Sequence, residues 1–366
     1  MQKKQVAVLD VGSSKMTAVV GERGINKTFI VKARRDFEYD GYGGGEFLSV
    51  EALKRVLRFC GEFLSSSVRG IETVYVGVPG EFTEVTVRDS QISFPRKKRI
   101  DENDVDSLFD AAFVLSSSKS TLINRSAIVY ELDDYRRLAN PVGETSEILK
   151  GKLSFITCRN YFIDLFKPVL KSCGFREIEF VSASLAEAMY LIDAETRDRI
   201  AIILDVGYIS STFSLIQGDG IIYQSSFDYG GGYITAALTQ RFTIDFPTAE
   251  ALKRKINLSR VSEDGSEIIP MGANDYCDAD SVRAVIKASL DILCEKVSEC
   301  IEDSGYLIPE YVPITVTGGG ISYLRGAKEH LSGRLGFVVE KAPQKIPVGI
   351  RPTEASMYSL LDLTLG

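Results

Sequence analysis

Two short apolar runs, Val6 to Leu9 and Met16 to Val20, flank the polar turn Asp10-Val11-Gly12-Ser13-Ser14-Lys15. Runs of that length, broken by a glycine and small hydroxyls, predict two antiparallel β-strands joined by a tight turn. Half a chain later the pattern returns as Ile203-Leu204-Asp205-Val206-Gly207-Tyr208-Ile209-Ser210-Ser211, leading into the apolar stretch Thr212 to Ile216. One such turn alone reads as an ordinary hairpin; a second copy predicts two similar lobes facing each other across a cleft. A third glycine turn, Val316-Thr317-Gly318-Gly319-Gly320-Ile321, follows the apolar run around Ile314 and is expected to open a helix.

Between these landmarks the periodicity changes several times. Thr28 to Lys32 reads as a third strand, and Gly41-Tyr42-Gly43-Gly44-Gly45 as a flexible linker in preference to a phosphate cradle. Ser49 is placed to cap a helix carrying Val50, Leu53, Val56, Leu57, Cys60 and Leu64 at helical spacing. Thr73 to Val78 predicts a strand closed by Pro79-Gly80. Glu84 to Phe94 reads as extended, followed by a basic loop, Arg96 to Arg99. Asp101 then caps a helix with Val105, Leu108, Phe109 and Ala112 on one face, and Asp104 suits its first turn. A serine-rich turn, Ser116 to Ser120, precedes expected strands at Ala127 to Leu132 and Lys152 to Thr157, which flank Asn140-Pro141-Val142-Gly143. A helix from Tyr161 to Cys173 stops at Gly174. This section has no phosphate-loop features and reads as an inserted interaction module.

The second lobe is expected to begin near Phe180, with a helix from Ala183 to Asp193 and strands at Arg199 to Leu204 and Ile221 to Ser226. Tyr229-Gly230-Gly231-Gly232 opens a helix, Thr248 to Lys253 lies on the next, and Gly272 to Asp280 reads as a polar loop. Ser281 to Ser304 predicts a long helix with a core-facing stripe, and Glu354 to Leu361 a last one. The predicted organisation is a first lobe over residues 1–83, an inserted αβ subdomain over 84–176 and a second lobe over 177–366, whose final helix returns toward the first lobe.

Composition narrows the chemistry. A chain of 366 residues that is 45% hydrophobic and 25% charged suits a two-domain globular protein. A formal net charge of −7 disfavours nucleic acid as a partner. Six scattered cysteines without CxxC pairs read as reduced residues of a cytosolic protein, and the lone His330 excludes a site built from several histidines. No apolar run approaches the ~20 residues of a membrane-spanning helix, and no signal peptide is evident. At the first turn, Gly12 lets backbone N–H groups approach an anion, while Ser13, Ser14 and Lys15 offer further donors to a phosphate chain. Asp10 suits a different task, orienting water around a magnesium ion.

The two hairpins and the third glycine turn, in that order and spacing, resemble the phosphate and adenosine loops of the actin-like ATPases. Within these, the chain resembles the bacterial cell-division family FtsA over nearly its whole length. Asn140-Pro141-Val142-Gly143, Asp101-Glu102-Asn103-Asp104-Val105, Tyr229-Gly230-Gly231-Gly232-Tyr233-Ile234-Thr235 and Ala249-Glu250-Ala251-Leu252-Lys253 carry that likeness. Pilus-assembly proteins of the PilM type share much of it. The resemblance implies an α/β actin-like ATPase fold: two lobes with ribonuclease-H-like cores around a nucleotide cleft, plus the insertion in the first lobe. It implies ATP and magnesium as cofactors. Asp10, Gly12, Ser13, Ser14 and Lys15 would meet phosphates from one lobe, and Asp205 and Gly207 from the other. Asp10 and Asp205 would reach the metal through water. Glu250 and Lys253 would reach ribose and base, and Gly318, Gly319 and Gly320 would lie against adenosine. The implied role is a division scaffold that forms filaments and joins FtsZ and other division proteins at the cytoplasmic face of the membrane. Membrane contact is expected only through a tail or partner outside this sequence. A PilM-like adaptor is the alternative, and a small-molecule kinase, with Asp228 or Glu187 as its base, a more distant one.

Two departures from the family pattern matter. Tyr208 and Ile209 stand where the second phosphate loop normally has glycines, and Thr212 stands where it has a second aspartate. Side chains there obstruct backbone approach to phosphate, so weak binding and impaired hydrolysis are expected. No catalytic residue is assigned.

Overall fold

The computed structural model describes residues 5–24, 28–67, 70–115, 117–260, 267–270, 276–343 and 352–366. The first hairpin is β1 (Gln5–Val11) and β2 (Lys15–Arg23), with Asp10 opposite Thr17 in the register. β3 (Phe29–Glu38) extends the meander, six residues beyond the expected end of that strand. The glycine stretch expected to be a flexible linker is instead a small hairpin, β4 (Tyr42–Gly43) and β5 (Glu46–Phe47). Tyr42 and Phe47 anchor it by packing their rings on Phe82 at 5.1 and 5.0 Å. α1 (Val50–Ser67) lays Leu53, Leu57, Cys60 and Leu64 on the sheet, and Ser49 Oγ accepts from Ala52 N as its cap. β6 (Thr73–Val78) pairs parallel with β1.

The insertion is a long antiparallel sheet. β7 (Thr83–Arg99) carries the basic run into the strand rather than leaving it as a loop. Its cations are engaged locally, Lys97 with Asp133, Lys98 with Asp104 and Arg99 with the Gly143 carbonyl. α2 (Glu102–Ala112) opens with the expected Asp101 cap, reciprocated by the Asp104 carboxylate in a capping box. β8 (Ser120–Leu132), β9 (Arg137–Leu138) and β10 (Thr145–Arg159) complete the sheet order β7-β10-β8-β9. Leu108, Phe109, Tyr130, Leu149, Leu153 and Phe155 form its own core. Asn140-Pro141-Val142-Gly143 is the tight turn before β10: the Asn140 side chain accepts from Val142 N, and Gly143 N donates to Ile100 O. Ser116 of the expected serine turn lies outside the described residues.

Two boundaries differ from expectation. α3 (Asn160–Ser172) packs Phe162, Phe166 and Leu170 against α1, so it belongs to the first-lobe core rather than to the insertion. β11 (Glu177–Ser182) pairs parallel with β6 and ends the first sheet, β11-β6-β1-β2-β3, so the first lobe runs past residue 177. α4 (Ala183–Leu191) and the short α5 (Ala194–Arg197) cross to the other lobe.

There the same topology recurs in the order β14-β13-β12-β17-β18. β12 (Ala201–Val206) and β13 (Ser211–Gln217) form the second hairpin, with Asp205 opposite Thr212, and β14 (Gly220–Phe227) follows. α6 (Gly231–Phe242) and α7 (Phe246–Lys255) are next, then β15 (Ile268–Pro270) and β16 (Tyr276–Asp278). Part of the expected Gly272 to Asp280 loop is thus strand and helix start, and its residues 272–275 lie outside the described residues. α8 (Ala279–Asp303) buries Val282, Ile286, Leu290, Leu293 and Val297 in the lobe core. β17 (Ile314–Thr317) leads into the third glycine turn, but α9 (Ala327–Leu335) begins seven residues after Gly320, so the turn does not open that helix directly. β18 (Val339–Lys341) closes the sheet.

The last helix, α10 (Ala355–Leu365), lies against the first lobe: Met357, Leu360 and Leu361 pack with Val6, Val8 and Val19. Gly21 and Gly77 make this close approach feasible, since a Cβ on either would lie 2.7 and 2.4 Å from Leu361 and Leu360 methyls. Among the described residues no helix is long and apolar enough to cross a membrane.

Candidate functional site

Both hairpins are built the same way. Gly12 N donates to Lys15 O at 2.9 Å, and Gly207 N donates to Ser210 O at 3.0 Å, so each turn closes on its own backbone. This places Asp10 and Asp205 at matching positions, one residue before the end of their strands, on opposite walls of a cleft of about 710 Å³. Asp10, Gly12, Ser13, Ser14, Lys15, Asp205, Gly207, Glu250, Gly318 and Gly319 all line that cavity. Lys253 and Gly320 do not.

The floor of the cleft is acidic. Burial pushes the Asp10 carboxyl up to about 6, partly offset by a 2.8 Å hydrogen bond from Ser356 Oγ of α10 and by the nearby Lys15 ammonium. Burial, reinforced by repulsion from Asp10, pushes Asp205 up to about 7. Glu187, on α4 between the lobes, is raised by burial and by both aspartates, and its buried Oε1 has no hydrogen-bond partner. Sequence reasoning weighed Glu187 only as a kinase base. Its helix carries no local motif, and only the fold brings it beside Asp10 and Asp205. Asp228, the other candidate base, accepts from Gly44 N at 2.8 Å and lines a separate cavity of about 350 Å³.

Lys15 is held by Asp36 at 3.0 Å, which also binds Arg34. Lys253 points away from the cleft into the start of α6. Its Nζ donates to Gly231 O and Thr235 Oγ1 at 2.8 Å each and pairs with Glu250 at 2.7 Å. Those three partners match the three donors of an ammonium. Burial pushes the Lys253 pKa down against the pull of Glu250. Burial alone would raise Glu250, but Lys253, Thr235 and Arg254 hold it below the usual carboxylate value. The Tyr208 ring sits between this group and Phe246, with the Lys253 ammonium 5.8 Å from its centroid and the Phe246 ring at 6.3 Å.

The glycines serve backbone packing around the second hairpin. Gly320 N donates to Val206 O at 2.7 Å, and Gly231 N to Gly207 O at 2.9 Å. A Cβ on Gly320 would lie 2.3 Å from Gly207 O, and one on Gly231 would lie 2.3 Å from Gly320 O. Gly318, at φ +83°, turns the chain beside the Asp205 carboxylate.

The acidic floor fits a divalent cation. Three carboxyls that repel one another, Glu187 buried with an orphaned oxygen and Asp10 and Asp205 half-buried, are stabilised when a cation neutralises them. Among the described residues no group of three carboxylate, thiol or imidazole side chains is arranged to hold a metal ion directly. On the first hairpin Gly12, Ser13, Ser14 and Lys15 all line the cleft. On the second, the Tyr208 and Ile209 N–H groups both donate to Ser13 Oγ at 3.1 Å, and so are already partnered.

Two lobes of matching topology, hinged on α4 and α10 around paired hairpins, define an actin-like ATPase fold. No protein-family profile matches the chain. It is similar to cell division protein FtsA of Pseudomonas aeruginosa, 21% identical over 349 residues, 91% of this chain and 83% of that protein. FtsA of Escherichia coli K12 is 22% identical over 257 residues, 69% of this chain and 60% of its own length. Among solved structures it is similar to a chain of the PilM–PilN type IV pilus biogenesis complex, with 18% identity, a TM-score of 0.64, and coverage of 100% of this chain and 99% of that one. MreB5 of Spiroplasma citri bound to AMPPNP is 13% identical, with a TM-score of 0.54 and coverage of 98% and 95%. The chain is thus FtsA-like, with the pilus protein as the rival likeness.

Proposed function

We propose that the protein is an FtsA-like, nucleotide-responsive assembly factor of the cell-division machinery, working at the cytoplasmic face of the membrane. The observation that carries the nucleotide half is the placement of Asp10 and Asp205 at matching positions of two equivalent hairpins, with Glu187 between them. AMPPNP bound to MreB5, a neighbour in fold, supports the same cleft as the place for ATP. Asp10, Asp205 and Glu187 would surround magnesium through water. Gly12, Ser14 and Lys15 would face phosphates, Glu250 the ribose, and Gly318 and Gly319 the adenosine. Magnesium, when bound, supplies positive charge that neutralises the floor and the phosphate oxygens. The chain's own residues orient the water shell and exclude bulk solvent. Thr212 contributes no carboxylate; its hydroxyl is bonded to Ser226 Oγ at 2.9 Å. Hydrolysis is therefore slow or absent in this reading, and nucleotide acts by holding the lobes together.

The division half rests on the FtsA likeness. Self-assembly and FtsZ binding are assigned to the insertion, whose sheet has its own core and projects the turn around Val142. A PilM-like adaptor role is the second reading. It is favoured by the structural match, which spans 99% of the pilus chain, where the sequence matches span 83% of P. aeruginosa FtsA and 60% of E. coli FtsA. Co-sedimentation separates the two. The division reading expects co-pelleting with FtsZ, increased by ATP and magnesium. Failure to pellet, together with binding to a PilN-type partner, would replace it with the pilus reading.

A further inference from the structure

The tip of the second hairpin is a place where the two lobes touch. Tyr208 N and Ile209 N converge on one oxygen, Ser13 Oγ, each at 3.1 Å. Two successive backbone amides aimed at a single acceptor form an anion-binding nest. Here the acceptor is a hydroxyl from the opposite lobe. The Ile209 side chain is fitted into that lobe as well. A Cβ on Gly41 would lie 2.8 Å from Ile209 Cδ1 and 2.0 Å from Ser13 O, and Gly41 has φ +89°. Glycine at 41 therefore both turns the chain and leaves the space Ile209 fills. The same junction carries Gln224 Nε2 donating to Gly80 O at 3.1 Å and to Thr83 Oγ1 at 2.8 Å. The residues that depart from the glycine pattern of the second phosphate loop have thus become a lobe-to-lobe contact.

We infer that Ser13 is an internal ligand of this nest: its hydroxyl latches the two hairpin tips together without nucleotide and gives way to a phosphate oxygen when one enters. The second clause rests on the nucleotide reading above; the first does not. A Ser hydroxyl accepts two hydrogen bonds through its two lone pairs, so both amides are satisfied while the latch is closed. Ser13 then differs in sign from an ordinary phosphate contact. Removing an ordinary contact weakens binding. Removing an internal competitor strengthens it, because the binding-competent state is no longer a minor fraction.

Amide hydrogen exchange tests this on the full chain, free of nucleotide. In Ser13→Ala, exchange at residues 208 and 209 should quicken about fivefold, the factor that corresponds to about 1 kcal/mol for the one bond each amide loses. Ser14→Ala, which removes a hydroxyl from the same turn, should leave it unchanged. Unaltered exchange in Ser13→Ala would overturn the latch. Titration with ATP and magnesium should then show tighter binding to Ser13→Ala than to the wild type. Weaker binding would overturn the displacement step. Faster exchange with no ATP binding by either protein would uphold the latch and sink the nucleotide reading alone.

Discussion

The two hairpins share a backbone and differ at their tips. Asp10 faces Thr17 as Asp205 faces Thr212, and each glycine closes its turn three residues on. The first tip is Ser13-Ser14-Lys15, all polar and all lining the cleft. In the second, Tyr208-Ile209-Ser210, the Tyr208 and Ile209 amides meet Ser13 Oγ, the Ile209 side chain sits beside Gly41 and the Tyr208 ring beside Phe246, while Tyr208 and Ser210 still line the cleft. The surroundings differ in the same direction. Backbone from Gly231 and Gly320 is pressed onto the second hairpin, whereas Gly12 meets only its own turn, at 3.0 Å. One fold thus supports two kinds of turn, one that presents donors and one that is built into the lobe contact. The aspartate before each turn is the same.

The largest effect should come from breaking the packing asymmetry. Gly320→Ala forces a Cβ to within 2.3 Å of backbone that cannot rotate away, and should cost about 3 kcal/mol or more in urea melts. Gly12→Ala meets its neighbour at 3.0 Å and should cost about 1 kcal/mol. Equal costs would refute the difference in packing.

Next comes charge. Both aspartates have folded pKa values above the 3.8 of a free carboxyl, so the fold favours their protonated forms. The stability this confers is complete below about 4 and is lost as pH rises through about 6 for Asp10 and about 7 for Asp205. Without metal, Asp205→Asn should therefore gain stability over the wild type between pH 5 and pH 8, by roughly 3 kcal/mol. Asp10→Asn should gain about 1 kcal/mol less, because Ser356 and Lys15 already favour its charge. Melting curves in a chelator that show no pH-dependent gain would remove the acidic floor from the account.

A smaller change should come from making the second tip resemble a phosphate loop. Tyr208→Gly with Ile209→Gly should raise ATP affinity about tenfold while costing roughly 1–2 kcal/mol of stability, as Ile209 loses its seat on Gly41. Unchanged affinity would show that the side chains are not the obstacle. Smallest for the fold is Val142→Glu at the tip of the insertion. Val142 is 42% exposed, so stability should move by no more than about 0.5 kcal/mol. Filament formation, read by pelleting, should fall sharply; pelleting at the wild-type level would take the insertion out of assembly.

The hairpins were legible in the sequence because short continuous apolar runs and a glycine turn are local signals. The Asp101 cap was legible for the same reason; the reciprocal bond from Asp104 was not. Pairing was not. β11 looks like the opening strand of a second lobe until its partner β6 is known, and α3 looks like part of the insertion until Phe162 and Phe166 are seen on α1. The Gly41 to Gly45 stretch reads as a linker because its order comes from Tyr42 and Phe47 meeting Phe82, far along the chain. Glu187 carries no motif, and its place beside Asp10 and Asp205 follows from where α4 crosses. Lys253 shows the converse, a motif residue whose side chain the fold turns into α6.

The central claim is that the cleft between the hairpins takes ATP through a magnesium ion set by Asp10 and Asp205. Calorimetric titration of the wild type with ATP, in magnesium and in chelator, tests it most directly, alongside Asp10→Asn and Asp205→Asn. The account predicts binding that requires magnesium and weakens at least tenfold in each variant, about 1.4 kcal/mol. Binding that ignores magnesium and both substitutions, or no binding to the wild type, would contradict it.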